Sequence, residues 1–228
     1  MTAGYGVTRI VEDLSFAIPA GGRLAVLGRN GVGKTTLLAA LMGIAQRHHG
    51  RIVLDGEDVT GLRIADRARR GLGYVPQTRD VFRSLSVEEN LVAGLKNRGR
   101  DALAEAYGMF PRLAERRRQR ASLLSGGEQQ MLSTARTILG RPRVLLLDEP
   151  LEGLAPVICD ELMRALHALT DRGDLTVVLV EQQIERAMDF AARTLVMDRG
   201  RVVWSGPTND LRADGDAIER HLGVGGFR

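Results

Sequence analysis

Gly28-Arg29-Asn30-Gly31-Val32-Gly33-Lys34-Thr35 is the stretch whose reading decides the fold. It fits G-x-x-x-x-G-K-[ST] in the context that motif needs: Arg23–Leu27 reads as a short apolar strand, and residues 35–42 as a helix. Backbone N–H groups that converge on phosphate oxygens need a loop free of obstructing side chains. Gly28, Gly31 and Gly33 supply one, with Arg29, Asn30 and Val32 between them. The N-terminus of the following helix adds free N–H donors and the positive end of its dipole. Lys34 brings a compact, mobile ammonium to terminal phosphates, and the Thr35 hydroxyl suits Mg²⁺. At this chain's composition, chance would supply the pattern about 0.002 times per chain. The loop implies a nucleoside triphosphate site.

Working outward, the 228 residues suit one domain with room for a sizeable core. Of 32 basic residues only two are lysines, Lys34 and Lys96, so the lysine of the loop is an exception to a strong arginine preference. A net charge of +4 permits an acidic partner without demanding one. The apolar runs Val144–Leu147 and Thr176–Val180 fall far below the ~18 residues of a membrane span. No basic and apolar leader opens the chain, which points away from secretion. A single cysteine, Cys159, excludes an internal disulfide and fits a reducing compartment.

The punctuation predicts an α/β alternation: strands at 51–54, 73–75, 144–147 and 176–180, a closing hairpin at 194–203, and helices at 157–169 and 184–191. From about Ser86 to Leu139 the periodicity turns helical and highly charged. The strand at 144–147 ends in Asp148 and Glu149, delivering two carboxylates to the edge where open α/β sheets bind ligands. One acid can support Mg²⁺, and the next can orient an attacking water.

Leu124-Ser125-Gly126-Gly127-Glu128-Gln129-Gln130 lies between the loop and the acidic strand. This stretch resembles the signature of ABC-type ATPases, and with the other two motifs it identifies the chain as resembling that family over essentially its whole length. The resemblance implies an α/β fold: a P-loop NTPase core with a mixed sheet and an inserted helical subdomain. It implies one domain over 1–228, with the nucleotide-binding core at 1–77 and 143–210, the helical subdomain at 78–142, and a C-terminal helix and tail at 211–228.

By the same carry-over, Tyr5 stacks on adenine, and Gly28 to Thr36, including Lys34, Thr35 and Thr36, hold the phosphates of ATP. Thr35, Gln77 and Asp148 hold Mg²⁺. Glu149 is the general base, with Gln77 and Gln182 beside it. Ser125, Gly126, Gly127 and Glu128 face the ATP of a second copy or of a paralogous ATPase subunit, the heterodimer being favoured. The partners implied are membrane permease subunits, docked at residues 77–90, and indirectly a periplasmic or extracellular solute-binding protein. The place implied is the cytoplasmic face of the plasma membrane. Glu152-Gly153-Leu154-Ala155-Pro156 and Val180-Glu181-Gln182 resemble the smaller ATPase subunit of branched-chain amino acid importers and its urea and amide relatives.

Three positions depart from the general pattern. Gln182 stands where most members carry a histidine, so an uncharged contact replaces a titrating one. Leu151 replaces a small hydroxyl residue after Glu149-Pro150. Tyr5 lies so near Met1 that the strand that normally precedes it is expected to be absent or incomplete, leaving a sheet edge open. A nucleic-acid or chromosome ATPase fits poorly, because only ~95 residues separate loop and signature and no heptads run between them. A binding-only regulatory subunit is opposed by Glu149, while Gln182 keeps it open. Elsewhere, Arg116 to Arg118 and Arg120 read as a solvated face, His48 and His49 as a surface turn, Trp204 as hairpin packing, and Ile218 with Leu222 as one side of a short docking helix.

Overall fold

The computed structural model describes residues 1–223. In chain order it begins with strands β1 (Thr2–Tyr5), β2 (Thr8–Val11) and β3 (Arg23–Leu27), then helix α1 (Lys34–Met42) and β4 (Gln46–His49). A small hairpin, β5 (Val53–Leu54) and β6 (Glu57–Asp58), precedes α2 (Ile64–Arg69) and β7 (Leu72–Val75). Four helices follow: α3 (Val87–Gly94), α4 (Leu103–Met109), α5 (Pro111–Glu115) and α6 (Gly126–Leu139). The alternation resumes with β8 (Val144–Asp148), α7 (Pro156–Thr170), β9 (Thr176–Val180), α8 (Ile184–Phe190), β10 (Arg193–Asp198) and β11 (Arg201–Pro207). Helices α9 (Thr208–Ala213) and α10 (Gly215–Leu222) close the described chain, and the end of the expected tail, 224–228, lies outside the described residues.

The main sheet has the order β11-β10-β3-β9-β8-β7, parallel throughout except for the β10–β11 hairpin. Its inner strands are continuously apolar because both faces are covered. Successive side chains alternate between two cores. Val26, Leu146 and Val178 pack with Leu37 and Leu38 of α1, whereas Leu27, Leu147 and Leu179 pack with Met131 and Leu132 of α6 and Leu162 of α7. Truncating a fully buried leucine such as Leu146 to Ala would cost about 2–5 kcal/mol. Cys159 is buried here, and Ile218 and Leu222 of α10 face the same core.

Two turns follow from local chemistry. Asp55-Gly56 and Arg199-Gly200 both have positive φ at each residue, the handedness a two-residue hairpin needs. A Cβ on Gly200 would lie 2.1 Å from the Ile10 carbonyl oxygen, so only glycine lets this hairpin tip approach β2. Ser86 and Ser125 open α3 and α6 with full capping boxes to Glu89 and Glu128.

The N-terminal expectation is corrected. β1 is present as the middle strand of a second, antiparallel sheet ordered β2-β1-β4, so both its edges are paired. His48 and His49 belong to β4 rather than to a surface turn. The short runs TRIV and QRHH carry no strong alternation, and only their pairing with β1 makes them strands.

Candidate active site

Four neighbouring parallel strands, β3, β9, β8 and β7, end at one edge of the sheet. At or just beyond their carboxyl ends lie the Gly28–Thr35 loop, Gln182, the Asp148-Glu149 pair and Gln77 respectively. Residues far apart in sequence meet there because parallel strands deliver their C-terminal loops to one side.

The loop is shaped by glycine. Gly28 has φ 150°, and a Cβ there would sit 2.4 Å from the Met197 carbonyl oxygen. Gly33, at φ 107°, caps α1 and packs on Ile10 and Val11 of β2. Lys34 is buried, and its ammonium donates to the Gly28 and Arg29 carbonyls at 2.7 and 3.1 Å. It also lies 3.6 Å from Glu149 Oε1. Arg29, Asn30, Gly31 and Thr35 are exposed, while Val32, Gly33 and Thr36 are buried beneath them.

Asp148 is fully buried (0% exposed), and each carboxylate oxygen has a hydroxyl donor. Thr35 Oγ1 donates to Oδ1 at 3.1 Å, and Tyr74 Oη to Oδ2 at 3.2 Å. Burial pushes the Asp148 carboxyl up, and these two hydrogen bonds oppose it in part. The Tyr74 phenol is pushed well up by burial first, then by the Asp148 charge it faces. The described residues hold no cluster of three or more His, Cys, Asp or Glu side chains able to cage a metal. One carboxylate beside one threonine hydroxyl instead fits a hard cation that takes its remaining ligands from phosphates and water.

Glu149 is held from three sides. Besides Lys34, Gln182 Nε2 donates to its Oε2 at 2.5 Å, and Gln77 Nε2 to the same oxygen at 3.2 Å. Its backbone has φ 47°, a left-handed conformation uncommon for a residue with a Cβ, and its N–H is tied to the Val180 carbonyl at 2.9 Å. The carboxylate next to a phosphate-shaped loop can accept a proton from a water brought between them.

Sequence reading missed several members of this network. Glu152 accepts from Gln77 at 2.6 Å, and Arg79 donates to the Glu152 carbonyl at 3.3 Å. Glu181, 2% exposed, accepts from three backbone N–H groups, those of Leu151, Gln182 and Gln183. Burial raises the Glu181 carboxyl, and those three bonds pull against the rise. Tyr74 had a usable signal, a hydroxylated aromatic in a buried strand two residues from the site edge, because such a hydroxyl usually has a partner.

Tyr5 ends β1 with 48% of its surface exposed, on the hairpin that supports Gly33. Ser125 is exposed at the start of α6, followed by Gly126 and Gly127. The Arg79 side chain lies over Gly126, so close that a Cβ there would be 2.4 Å from Nη1. The Glu128 carboxylate is occupied within its own turn, accepting from Ser125 N at 2.8 Å and Oγ at 2.9 Å. Arg116 reaches it at 2.6 Å, so one member of the arginine run serves the α6 cap rather than solvent. Burial raises the Glu128 carboxyl, but the Ser125 bonds and Arg116 outweigh it and hold it below the usual range.

Between α2, β7 and the end of α3 lies a groove of ≈ 700 Å³ lined by Ile44, Ile64, Tyr74, Gln77, Phe82 and Arg136 among others. Ile44, Ile64 and Phe82 expose about half their surfaces. No helix among the described residues is long and apolar enough to cross a membrane.

A family model described as ABC transporter matches residues 11–152. The chain is 40% identical over 203 residues to the high-affinity branched-chain amino acid transport ATP-binding protein BraG of Pseudomonas aeruginosa, covering 87% of each chain. It is 30% identical to the lipopolysaccharide export system ATP-binding protein LptB of Haemophilus influenzae, over 98% of this chain and 95% of that one. A solved ATP binding subunit of an ABC transporter superposes with a TM-score of 0.83 at 22% identity, over 97% and 94% of the two chains.

Proposed function

Since the chain belongs to the ABC transporter family as an ATP-binding subunit that hydrolyses ATP, we propose that it powers import of branched-chain or other neutral amino acids. The observation that carries the catalytic part is Glu149, gripped by Lys34, Gln77 and Gln182 at the edge where the phosphate loop ends. In this reading Gly28 to Thr36 bind the triphosphate of ATP and Tyr5 stacks on its base. Glu149 takes the proton of the attacking water, and Gln77 and Gln182 orient its carboxylate. Thr35 and Asp148, with Gln77, would hold Mg²⁺, which supplies neutralisation of phosphate charge when bound.

The signature end of α6, at Ser125, Gly126 and Gly127, serves the ATP of a second ATPase subunit, a paralogue by preference. Glu128 supports that end through its cap. Residues 78–142 act as the helical subdomain, and permease subunits dock in the groove beside Gln77 and Phe82 at the cytoplasmic face of the membrane. A solute-binding protein acts only through the permease, and no nucleic acid takes part.

Identity to BraG supports the amino-acid solute, and the export relative at 30% identity makes the solute the part most in need of test. Membrane vesicles carrying this chain with its permease subunits should take up branched-chain amino acids when supplied with ATP. Uptake of urea or a short amide instead would transfer the same motor to that solute. The Glu149→Gln chain should bind ATP normally, hydrolyse it about 10²–10⁴-fold more slowly and accumulate as an ATP-bound dimer. Hydrolysis at the wild-type rate would remove Glu149 from the role of base.

A further inference from the structure

Glu181 is a buried carboxylate that the catalytic reading leaves without work, and the two departures at Leu151 and Gln182 both touch it. Its Oε1 accepts the Leu151 N–H at 2.8 Å, and its Oε2 accepts those of Gln182 and Gln183 at 3.0 and 3.3 Å. Leu151 stands two residues after Glu149 in the turn whose first residue has φ 47°. Gln182 is the residue whose amide grips Glu149 Oε2. One carboxylate therefore ties both chain segments that position the base. Leu151 itself is fully buried in the core and offers no side-chain polar group for that purpose.

We infer that Glu181 is a positioning residue for hydrolysis: it locks the turn after Glu149 to the backbone of Gln182, so that the base and its amide clamp form one rigid unit. A fully buried carboxylate is costly, and three backbone N–H groups aimed at it are the arrangement that makes it tolerable. An apolar residue at 181 would leave those three donors unpaired. The signature of the lock is that it acts through Gln182 and the 149–151 turn, and not through nucleotide binding, since among the described residues the Glu181 carboxylate hydrogen-bonds only to the backbone of Leu151, Gln182 and Gln183.

The inference rests on the ATPase reading, and a double-mutant cycle separates the two. ATP hydrolysis by the full chain, with Tm and affinity for a fluorescent ATP analogue recorded alongside, is measured for wild type, Glu181→Gln, Gln182→Ala and the pair. Glutamine keeps the volume of Glu181 but turns one acceptor into a donor facing an N–H. Glu181→Gln should lower kcat about 10–100-fold, with KM for ATP within about two-fold of wild type. In the Gln182→Ala background the same change should add less than about three-fold, because the clamp it orients is already gone. Factors that multiply in full, or an unchanged kcat, would overturn the lock. So would a fall in nucleotide affinity and Tm that accounts for all lost activity, since that is what a purely structural carboxylate predicts. If Glu181→Gln does not fold, Glu181→Asp, which withdraws the carboxylate by one methylene, carries the same cycle. Absence of hydrolysis in the wild type would instead count against the ATPase reading itself.

Discussion

The amide of Gln182 donates to the carboxylate of Glu149 at 2.5 Å across 33 residues of sequence. This contact joins the end of β9 to the end of β8 and occupies the oxygen that Gln77 also approaches. An amide makes the same hydrogen bond at every accessible pH, whereas a histidine in its place would change charge near neutrality. ATP hydrolysis should therefore show no inflection between about pH 6 and 8 from this position, and Gln182→His should introduce one near ~6.5. An inflection already present in the wild type and unchanged in Gln182→Ala would show that another group titrates in turnover.

Asp148 contributes to the acid limit expected for this site. Burial raises its pKa in the folded chain, so its charge is lost on acidification above the ordinary ~3.9 of aspartate. Metal-dependent ATP binding should fail at a higher pH than an exposed aspartate would allow. The sign for stability is the reverse of the paired-carboxylate case. This group alone favours the fold while protonated, and that contribution is lost as pH rises from ~3.9 through the raised folded value. Asp148→Asn should remove that pH dependence from thermal unfolding while weakening Mg²⁺ dependence of binding, both measurable on one protein.

Tyr74 is the donor that sequence reading overlooked. Removing its hydroxyl in Tyr74→Phe leaves the ring and strand in place but deprives Asp148 Oδ2 of its partner at 3.2 Å. A hydrogen bond to a charged group is worth about 1.5–3 kcal/mol. The Mg²⁺ concentration for half-maximal hydrolysis should accordingly rise about ten-fold, with metal-free nucleotide affinity unchanged. Equal metal requirements in the two proteins would show that Thr35 alone orients the carboxylate.

Lys34→Ala should abolish ATP binding, because the ammonium that bridges the loop carbonyls and Glu149 is the one compact cation buried at the site. Isothermal titration with ATP gives the result directly, and unchanged affinity would overturn the phosphate-loop assignment.

Ser125→Arg should leave ATP affinity of the single chain intact but suppress hydrolysis by the pair of subunits, since Ser125 is exposed at an α6 terminus that Glu128 and Arg116 hold in shape. Mixing it with Lys34→Ala chains should restore part of the activity if each site is built from two chains. No restoration in the mixture would argue against pairing of two copies of this chain and leave a paralogous partner or a site complete within one chain.

Sequence alone determined the parts whose physics is local. The glycine loop, the closing hairpin and the continuously apolar strands β8 and β9 each depend on neighbours within a few residues, and each stands where its pattern placed it. Tertiary structure alone decided what depends on distant partners. The short strands β2 and β4 exist because β1 lies between them, which no alternation in their own residues announces. Tyr74 meets Asp148 across 74 residues, and Glu181 meets Leu151 across 30, because adjacent parallel strands bring their carboxyl ends to one edge. Residue types at those positions are visible in the sequence, but the hydrogen bonds between them come from strand order, and strand order is set by the packing of the whole sheet.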